Sequence, residues 1–71
     1  VRGLAVERMR VEIYDLSGRL VWQGEALGNE LLWHTEDLSG LPLANGVYLY
    51  RVVVEAPGRR EVVQGKVVIL R

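Results

Sequence analysis

The chain has 71 residues, with nine basic and nine acidic side chains and no formal net charge at pH 7. This balance argues against electrostatic binding of nucleic acid, and no apolar run approaches the roughly 20 residues of a membrane-spanning helix. With 49% hydrophobic residues and no cysteine, residues 1–71 are expected to form one small domain held together by core packing alone.

Two strands and a turn between them are predicted near the start of the chain. Apolar and charged residues alternate from Glu7 to Tyr14, which is the pattern of a strand with one buried face. The segment Asp15–Gly18 then supplies turn-forming residues, and its glycine is suited to a left-handed conformation. A second strand is predicted from Arg19 to Ala26.

A third, shorter strand is predicted from Glu30 to Thr35, after a turn at Gly28–Asn29. Its side chains alternate between a face with Trp33 and a face with His34. Residues 36–46 contain more turn formers than strand formers, so they are expected to form a long irregular connection.

The last two strands are predicted from Val47 to Ala56 and from Arg60 to Leu70. A tight turn at Asn45–Gly46 is expected before the first of them, and Pro57–Gly58 separates the two. Both faces of the fourth strand are rather apolar, which favours a central position in the sheet. The fifth strand alternates less cleanly, so its inward face is not assigned, and Gly65 is a candidate β-bulge. Five strands with short connections predict an antiparallel all-β fold.

The segment Asp-Leu-Ser-Gly occurs twice, at residues 15–18 and 37–40. The flanking residues do not repeat, because the first copy joins two predicted strands and the second leads into Pro42. We interpret the copies as independent turns of similar composition rather than as a repeat architecture.

A hydrolytic triad can be composed on paper from His34, a serine (Ser17 or Ser39) and an aspartate (Asp15 or Asp37). Neither serine lies in a nucleophile elbow of the Gly-x-Ser-x-Gly type, and a lone strand histidine is usually a surface or edge residue. We therefore expect no catalytic residues and no enzymatic activity.

Metal and cofactor sites are not expected either. A structural zinc site needs several cysteine or histidine ligands, and the chain has one histidine and no cysteine. A loose calcium site of Asp37 and loop carbonyls stays open, because hard cations accept irregular loops of oxygen ligands.

Trp22 and Trp33 leave two roles open. Exposed together on one flat face, they would form a stacking platform for carbohydrate in an accessory ligand-binding domain. In a chain that contains no phenylalanine, they also suit core or interface packing. The burial of the two side chains distinguishes these roles.

Four short motifs occur in a fixed order along the chain. They are Tyr14-Asp-Leu-Ser-Gly-Arg-Leu-Val21, then Trp33, then Leu43-Ala-Asn-Gly-Val-Tyr-Leu-Tyr50, and finally Lys66-Val-Val-Ile-Leu-Arg71. From about Val11 to the end, their order and spacing resemble the Ig-like family that includes C-terminal sorting domains of type IX secretion cargo and the Ig-like domain of flagellar hook-capping proteins. The resemblance implies an antiparallel Ig-like β-sandwich of about five to seven strands.

The resemblance implies structural rather than catalytic positions. An Asp-x-x-Gly-Arg turn would join two core strands, a Gly-x-Tyr segment would open a central strand, and a basic residue would close the last one. It further implies a non-catalytic module in the C-terminal part of a larger exported prokaryotic protein, extracellular or at the cell surface, that serves sorting, anchoring or structural termination. The matching positions are Asp15, Gly18, Arg19, Trp33, Asn45, Gly46, Tyr48 and Arg71.

Domains of the parent protein or the secretion machinery are the partners that the resemblance implies. Sorting domains of the family begin with a Pro-Asn-Pro segment and a first strand, and only Val1–Gly3 matches the end of that strand. A sandwich without its first edge strand exposes unpaired backbone groups. We therefore expect strand addition at this N-terminal sheet edge, by the parent protein or in a homodimer.

Overall fold

Four antiparallel strands form one open sheet in the computed structural model of the chain, which describes residues 7–28 and 31–70. The strands are β1 (Arg8–Tyr14), β2 (Leu20–Leu27), β3 (Gly46–Ala56) and β4 (Arg59–Ile69), in the spatial order β2-β1-β3-β4. The described part of the chain contains no helix, so the predicted antiparallel all-β class is confirmed. Within it, no helix has the length and apolar character that a membrane crossing requires.

β1 and β3 lie at the centre of the sheet, because each of them pairs with a neighbour on both sides. The central position predicted for the strand at Val47–Ala56 is therefore confirmed. Four of the five predicted strands agree with β1 to β4 within one residue at either end.

The sheet has two faces, which we call the Ile13 face and the Tyr14 face. Ile13 lies opposite Tyr50, and Tyr14 lies opposite Leu49. Opposed residues in a sheet point to the same side, and successive residues alternate. These two rows therefore assign the other residues of β1, β3 and β4, and the pairing with β1 assigns β2 from Trp22 to Leu27. Lys66, which lies opposite Leu49, is thus on the Tyr14 face.

The main hydrophobic cluster lies on the Ile13 face, whereas Val53, which is 3% exposed, is buried on the Tyr14 face. On the Ile13 face, Ile13, Tyr48 and Ile69 from three strands pack with Leu43 from the connection between β2 and β3, and all four are buried. The connection also contributes Trp33, so a loop covers this face. The partly buried residues around the core are Val11, Val21, Trp22, Trp33, Tyr50 and Val67.

The predicted third strand over Glu30–Thr35 is wrong for residues 31–35, which pair with no strand. The backbone of Thr35 has a φ of 55°, a left-handed conformation that ends an extended run. Trp33 is nevertheless half-buried between the exposed Leu32 and His34. Buried and exposed side chains alternate in this segment because one side of it packs on the core. Such packing does not require backbone hydrogen bonds to a neighbouring strand.

The bulge predicted at Gly65 is also wrong. β3 and β4 stay in register over all eleven residues of each strand. Gly65 lies opposite Tyr50, and a Cβ atom at Gly65 would overlap the Tyr50 ring. The glycine therefore makes room for an aromatic ring rather than for an extra residue.

Three predicted features lie outside the residues that the structure describes. They are the N-terminal segment Val1–Gly3, residues Asn29 and Glu30 at the predicted turn and the start of the predicted third strand, and the closing Arg71. Gly28, the other residue of that turn, has a φ of 91°, which agrees with a change of chain direction after β2.

Candidate interaction surface

Among the described residues, the two edges of the sheet are β2 and β4. β1 pairs with β2 on one side and with β3 on the other throughout Arg8–Tyr14. The first strand of the described chain therefore offers no free edge, and an added strand would have to pair with β2 or β4.

β2 is an irregular and partly covered edge. Its register with β1 shifts between Ile13 and Tyr14, which leaves Val21 without a partner and forms a β-bulge. The Val21 carbonyl accepts a hydrogen bond of 3.0 Å from the N–H of Leu38 in the following loop. Bulges and covering loops are both means by which proteins protect a sheet edge from unwanted pairing.

In the described part of the chain, β4 has neither a bulge nor a covering loop. It runs for eleven residues without a bulge or a proline. No loop in the described part of the chain donates or accepts a backbone hydrogen bond at β4. Three of its valines, Val62, Val63 and Val68, are 45%, 45% and 57% exposed. Such an edge presents backbone N–H and C=O groups to an incoming strand.

The side chains of β4 on the Tyr14 face are apolar, neutral or basic, and all are exposed. Lys66 makes no ion pair with any residue that the structure describes. The one acidic residue of the strand, Glu61, lies on the Ile13 face, where its carboxylate accepts a hydrogen bond of 2.7 Å from Arg59. The five side chains on the Tyr14 face are Arg60, Val62, Gln64, Lys66 and Val68.

A shallow groove of about 410 Å³ lies beside β4. One of its two cations, Arg51, donates to Glu12 on β1 through Nη1, at 3.3 Å from Oε1. Lys66 is therefore the uncompensated charge of the groove. The residues that line it are Tyr14, Leu49, Tyr50, Arg51, Gln64, Gly65 and Lys66.

The two Asp-Leu-Ser-Gly segments form turns with the same hydrogen bonds. In each turn, the aspartate Oδ1 accepts three hydrogen bonds. Two come from the backbone N–H and the hydroxyl of the serine, and the third comes from the backbone N–H of the residue two positions after the serine, Arg19 or Leu41. These distances are 2.9, 2.5 and 3.1 Å at Asp15, and 2.9, 2.6 and 3.0 Å at Asp37. Gly18 and Gly40 take the left-handed conformation, with φ of 89° and 88°. The predicted turns are thus confirmed at both places.

These hydrogen bonds set the charge state of the two aspartates. The serine hydroxyl, followed by the N–H two residues after the serine, holds the pKa of both Asp15 and Asp37 below the ordinary value of 3.8. Arg19 Nε lies 3.4 Å from Asp15 Oδ2, but its side chain is 80% exposed, so this ion pair adds little stability. Asp15, Gly18 and Arg19 therefore brace the turn between β1 and β2.

A bend at Asn45, rather than the predicted tight turn at Asn45–Gly46, precedes β3. Gly46 cannot be part of a hairpin loop because it already pairs with Ile69 as the first residue of β3. Tyr48 is buried, and its hydroxyl donates a hydrogen bond of 2.7 Å to the carbonyl of Ala44. This bond ties the start of a central strand to the loop that covers the core.

The structure does not assemble the triad written from sequence. His34 is exposed in the connection between β2 and β3, while the hydroxyls of Ser17 and Ser39 each donate to the aspartate of their own turn. Asp37 Oδ1 accepts from three donors of its own turn, and a loose calcium site of Asp37 and loop carbonyls stays a prediction. Among the described residues, no group of three or more metal-ligating side chains is close enough to hold a metal ion.

Trp22 and Trp33 contact each other instead of forming a flat platform. Their ring centroids are 5.7 Å apart and their planes are tilted by 35°. Both are half-buried against the core, and the Trp33 indole N–H donates a hydrogen bond of 3.0 Å to the carbonyl of Glu36. This geometry favours the packing role over carbohydrate stacking.

Sequence reasoning missed the surface on β4. Valine occurs at both parities of this strand, as Val62 and Val63 and again as Val67 and Val68, so hydrophobicity does not show which face is inward. Charge does not show it either, because Arg59 and Glu61 occupy odd positions while Arg60 and Lys66 occupy even ones.

The predicted motif positions do not converge on one site. No protein-family model, curated protein or solved structure matches this chain. The described motif residues brace the turn after β1 (Asp15, Gly18, Arg19), cover the core (Trp33) and open β3 (Asn45, Gly46, Tyr48).

Proposed function

We propose that this chain is a non-catalytic attachment module that associates with other protein segments through the free edge of β4. Following the family that its motifs resemble, we place it in the C-terminal region of an exported prokaryotic protein, outside the cell or at its surface. There it serves sorting, anchoring or structural termination. Its partners are other domains of the parent protein or the secretion machinery.

The difference between the two sheet edges carries this proposal. β2 is bulged at Val21 and covered there by Leu38, whereas β4 is regular and free along eleven residues of the described chain. An added strand would gain affinity from main-chain hydrogen bonds and selectivity from alternate side chains. Proteins usually protect a long edge with bulges, covering loops or charged side chains. Of these, β4 has only the charged side chains in the described part of the chain, so its backbone stays open to another chain.

The hydrogen bond from Tyr48 to Ala44 supports an Ig-like architecture. In Ig-like sandwiches, a tyrosine near the start of one strand hydrogen-bonds to the backbone a few residues upstream. Tyr48 is the third residue of β3, and its hydroxyl reaches the carbonyl four residues upstream. We propose that the described sheet is one layer of such a sandwich, which neighbouring parts of the parent protein complete.

An export assay tests the sorting role. A reporter protein with residues 1–71 fused to its C-terminus is produced in a bacterium that has a type IX secretion system, and the reporter outside the cell is quantified. We expect the fusion to leave the cell while the unfused reporter stays in the periplasm. Retention of both proteins would contradict a sorting function.

Two matched variants test the role of β4 in this assay. Val62→Lys and Gln23→Lys each place a lysine at an exposed position on the Tyr14 face, the first on β4 and the second on β2. An added lysine on an edge strand disfavours pairing with another chain. We expect the β4 variant to lower the exported fraction and the β2 variant to leave it unchanged. Equal effects would contradict recognition through β4.

A further inference from the structure

We infer that the strand added at β4 is an apolar segment of another polypeptide with a carboxylate opposite Lys66. This inference rests on the proposed attachment role and specifies the chemistry of the partner. The partner segment pairs antiparallel with β4, the more stable arrangement, and becomes the next strand of the sheet.

Lys66 lacks a compensating charge within the sheet. On the Tyr14 face its opposite neighbour in β3 is Leu49, and the diagonal neighbours are Val47 and Arg51. Arg51 is itself paired with Glu12. A residue placed opposite Lys66 on an added strand would have its Cβ atom about 4.5–5.5 Å from that of Lys66. A glutamate or aspartate there would form a cross-strand ion pair.

The exposed valines of the same face select apolar residues on either side of that carboxylate. Val62 and Val68 are 45% and 57% exposed, and both lie on the Tyr14 face with Lys66. Apolar side chains opposite them would remove this surface from water. Read from its N-terminus in the antiparallel orientation, the partner segment first has an apolar residue opposite Val68. An acidic residue opposite Lys66 follows two positions later, and an apolar residue opposite Val62 follows four positions after the acid.

A second copy of this chain does not have this chemistry. In a symmetric antiparallel pair of β4 strands, opposed residues lie on the same face. Glu61, the one acid of β4, is on the Ile13 face, so no symmetric register sets it opposite Lys66 or Arg60. The pairing centred on Val63 would oppose Arg60 and Lys66, which repel each other.

A peptide titration of the 71-residue chain tests the inference. The probe is a labelled peptide of about nine residues, with valines opposite Val62 and Val68, a glutamate opposite Lys66 and threonines elsewhere; a second peptide has lysine in place of the glutamate. Binding is followed by fluorescence polarisation, and the site is located by amide chemical shifts and hydrogen exchange. We expect the glutamate peptide to bind at β4 and to slow the exchange of its amides.

A charge swap at Lys66 gives the sharpest comparison. Because Lys66 is exposed, Lys66→Glu should fold normally, and Lys66→Gln serves as a milder second variant. Exchanging one attractive cross-strand pair for a repulsive one should weaken the glutamate peptide about tenfold, and the lysine peptide should become the better ligand of Lys66→Glu. Gln23→Glu on β2 is the matched control and should change neither affinity.

Three results would overturn the inference. They are the absence of peptide binding up to about millimolar concentration, binding that ignores the charge at Lys66, and concentration-dependent self-association that protects β4, which would identify a second copy as its occupant. The purified system separates this inference from the sorting role. Peptide binding without export would support the inferred partner chemistry and contradict the sorting role. Export without peptide binding would support the sorting role and contradict the inferred partner chemistry.

Discussion

Asp15 and Asp37 each organise a turn with a single carboxylate oxygen. Three donors from the following residues converge on that oxygen, and a glycine in the left-handed conformation closes the loop. The chemistry is local, because every donor lies within four residues of the acceptor. This explains why a short segment adopts the same geometry in two places with different neighbours.

The two turns should contribute to acid sensitivity. The folded chain keeps the pKa of Asp15 and Asp37 below the ordinary 3.8, so the unfolded chain takes up protons first as the pH falls. The contribution of the two ionised aspartates to the free energy of unfolding is then complete above pH 3.8. It is lost as the pH falls through the lower pKa of the folded chain. Urea denaturation over a pH series from about 6 to 2 should show the free energy of unfolding decreasing in this acidic window.

The Asp15→Asn, Asp37→Asn double variant isolates this contribution. Asparagine keeps the acceptor oxygen but does not titrate in this range, so the variant should lose less of its stability on acidification than the original chain. Glu25→Gln, which removes an exposed carboxyl outside both turns, is the control. An unchanged pH profile in the double variant would contradict the role assigned to the turns.

At the scale of the strand, two glycines are paired with aromatic rings. Trp22 lies over Gly24 within β2, and Tyr50 lies over Gly65 across the β3–β4 pair. Glycine weakens a strand because it has no side chain to pack, and an overlying ring compensates by covering the bare backbone. These glycines serve packing, whereas those of the two turns serve backbone conformation.

Gly24→Ala should displace the Trp22 ring. The new Cβ atom would lie 2.5 Å from the ring, so the ring must move and its contact with Trp33 would change. We expect a loss of about 1–3 kcal/mol in the free energy of unfolding, together with a change in near-ultraviolet circular dichroism. Gln23→Ala, at an exposed neighbouring position, should be almost neutral; an equal loss there would point to strand propensity instead of the ring.

At the scale of the whole molecule, the fold is one strand layer with a loop over part of one face. The Cα radius of gyration is 12.8 Å, compared with about 11 Å for a compact domain of this length. Few described side chains are fully buried, and Val54 has the lowest exposure among them. A partner that adds a strand would therefore also raise stability, since it binds only the folded chain.

Amide hydrogen exchange should rank the strands by their place in the sheet. β1 and β3 are paired on both sides, so their amides should exchange most slowly, while half of the β4 amides should exchange rapidly. Nuclear magnetic resonance of the dilute chain gives this ranking residue by residue. Uniformly slow exchange along β4 would show that its edge is covered, which would contradict the free edge assigned to this strand.

Local patterns in the sequence determine much of this protein. Alternating residues predict β1 from Glu7–Tyr14, and the turns at Asp15 and Asp37 follow from residues within four positions of each other. Such features depend on neighbouring residues, so they are readable without a fold. The same alternation of apolar and polar residues led to the wrong prediction of a strand at Glu30–Thr35. An extended segment with one side packed on a core shows this alternation just as a paired strand does.

The sequence by itself determined the four strands, the apolar side of β1 and the chemistry of both turns, since each depends on contacts within a few residues. Only the tertiary structure decided the strand order, the bulge at Val21, the covering of the β2 edge by Leu38 and the freedom of β4. These depend on which distant segments meet, and periodicity along the chain does not encode that. The candidate site lies on β4 for that reason, and of the four motifs only the closing one, which begins at Lys66, lies in that strand.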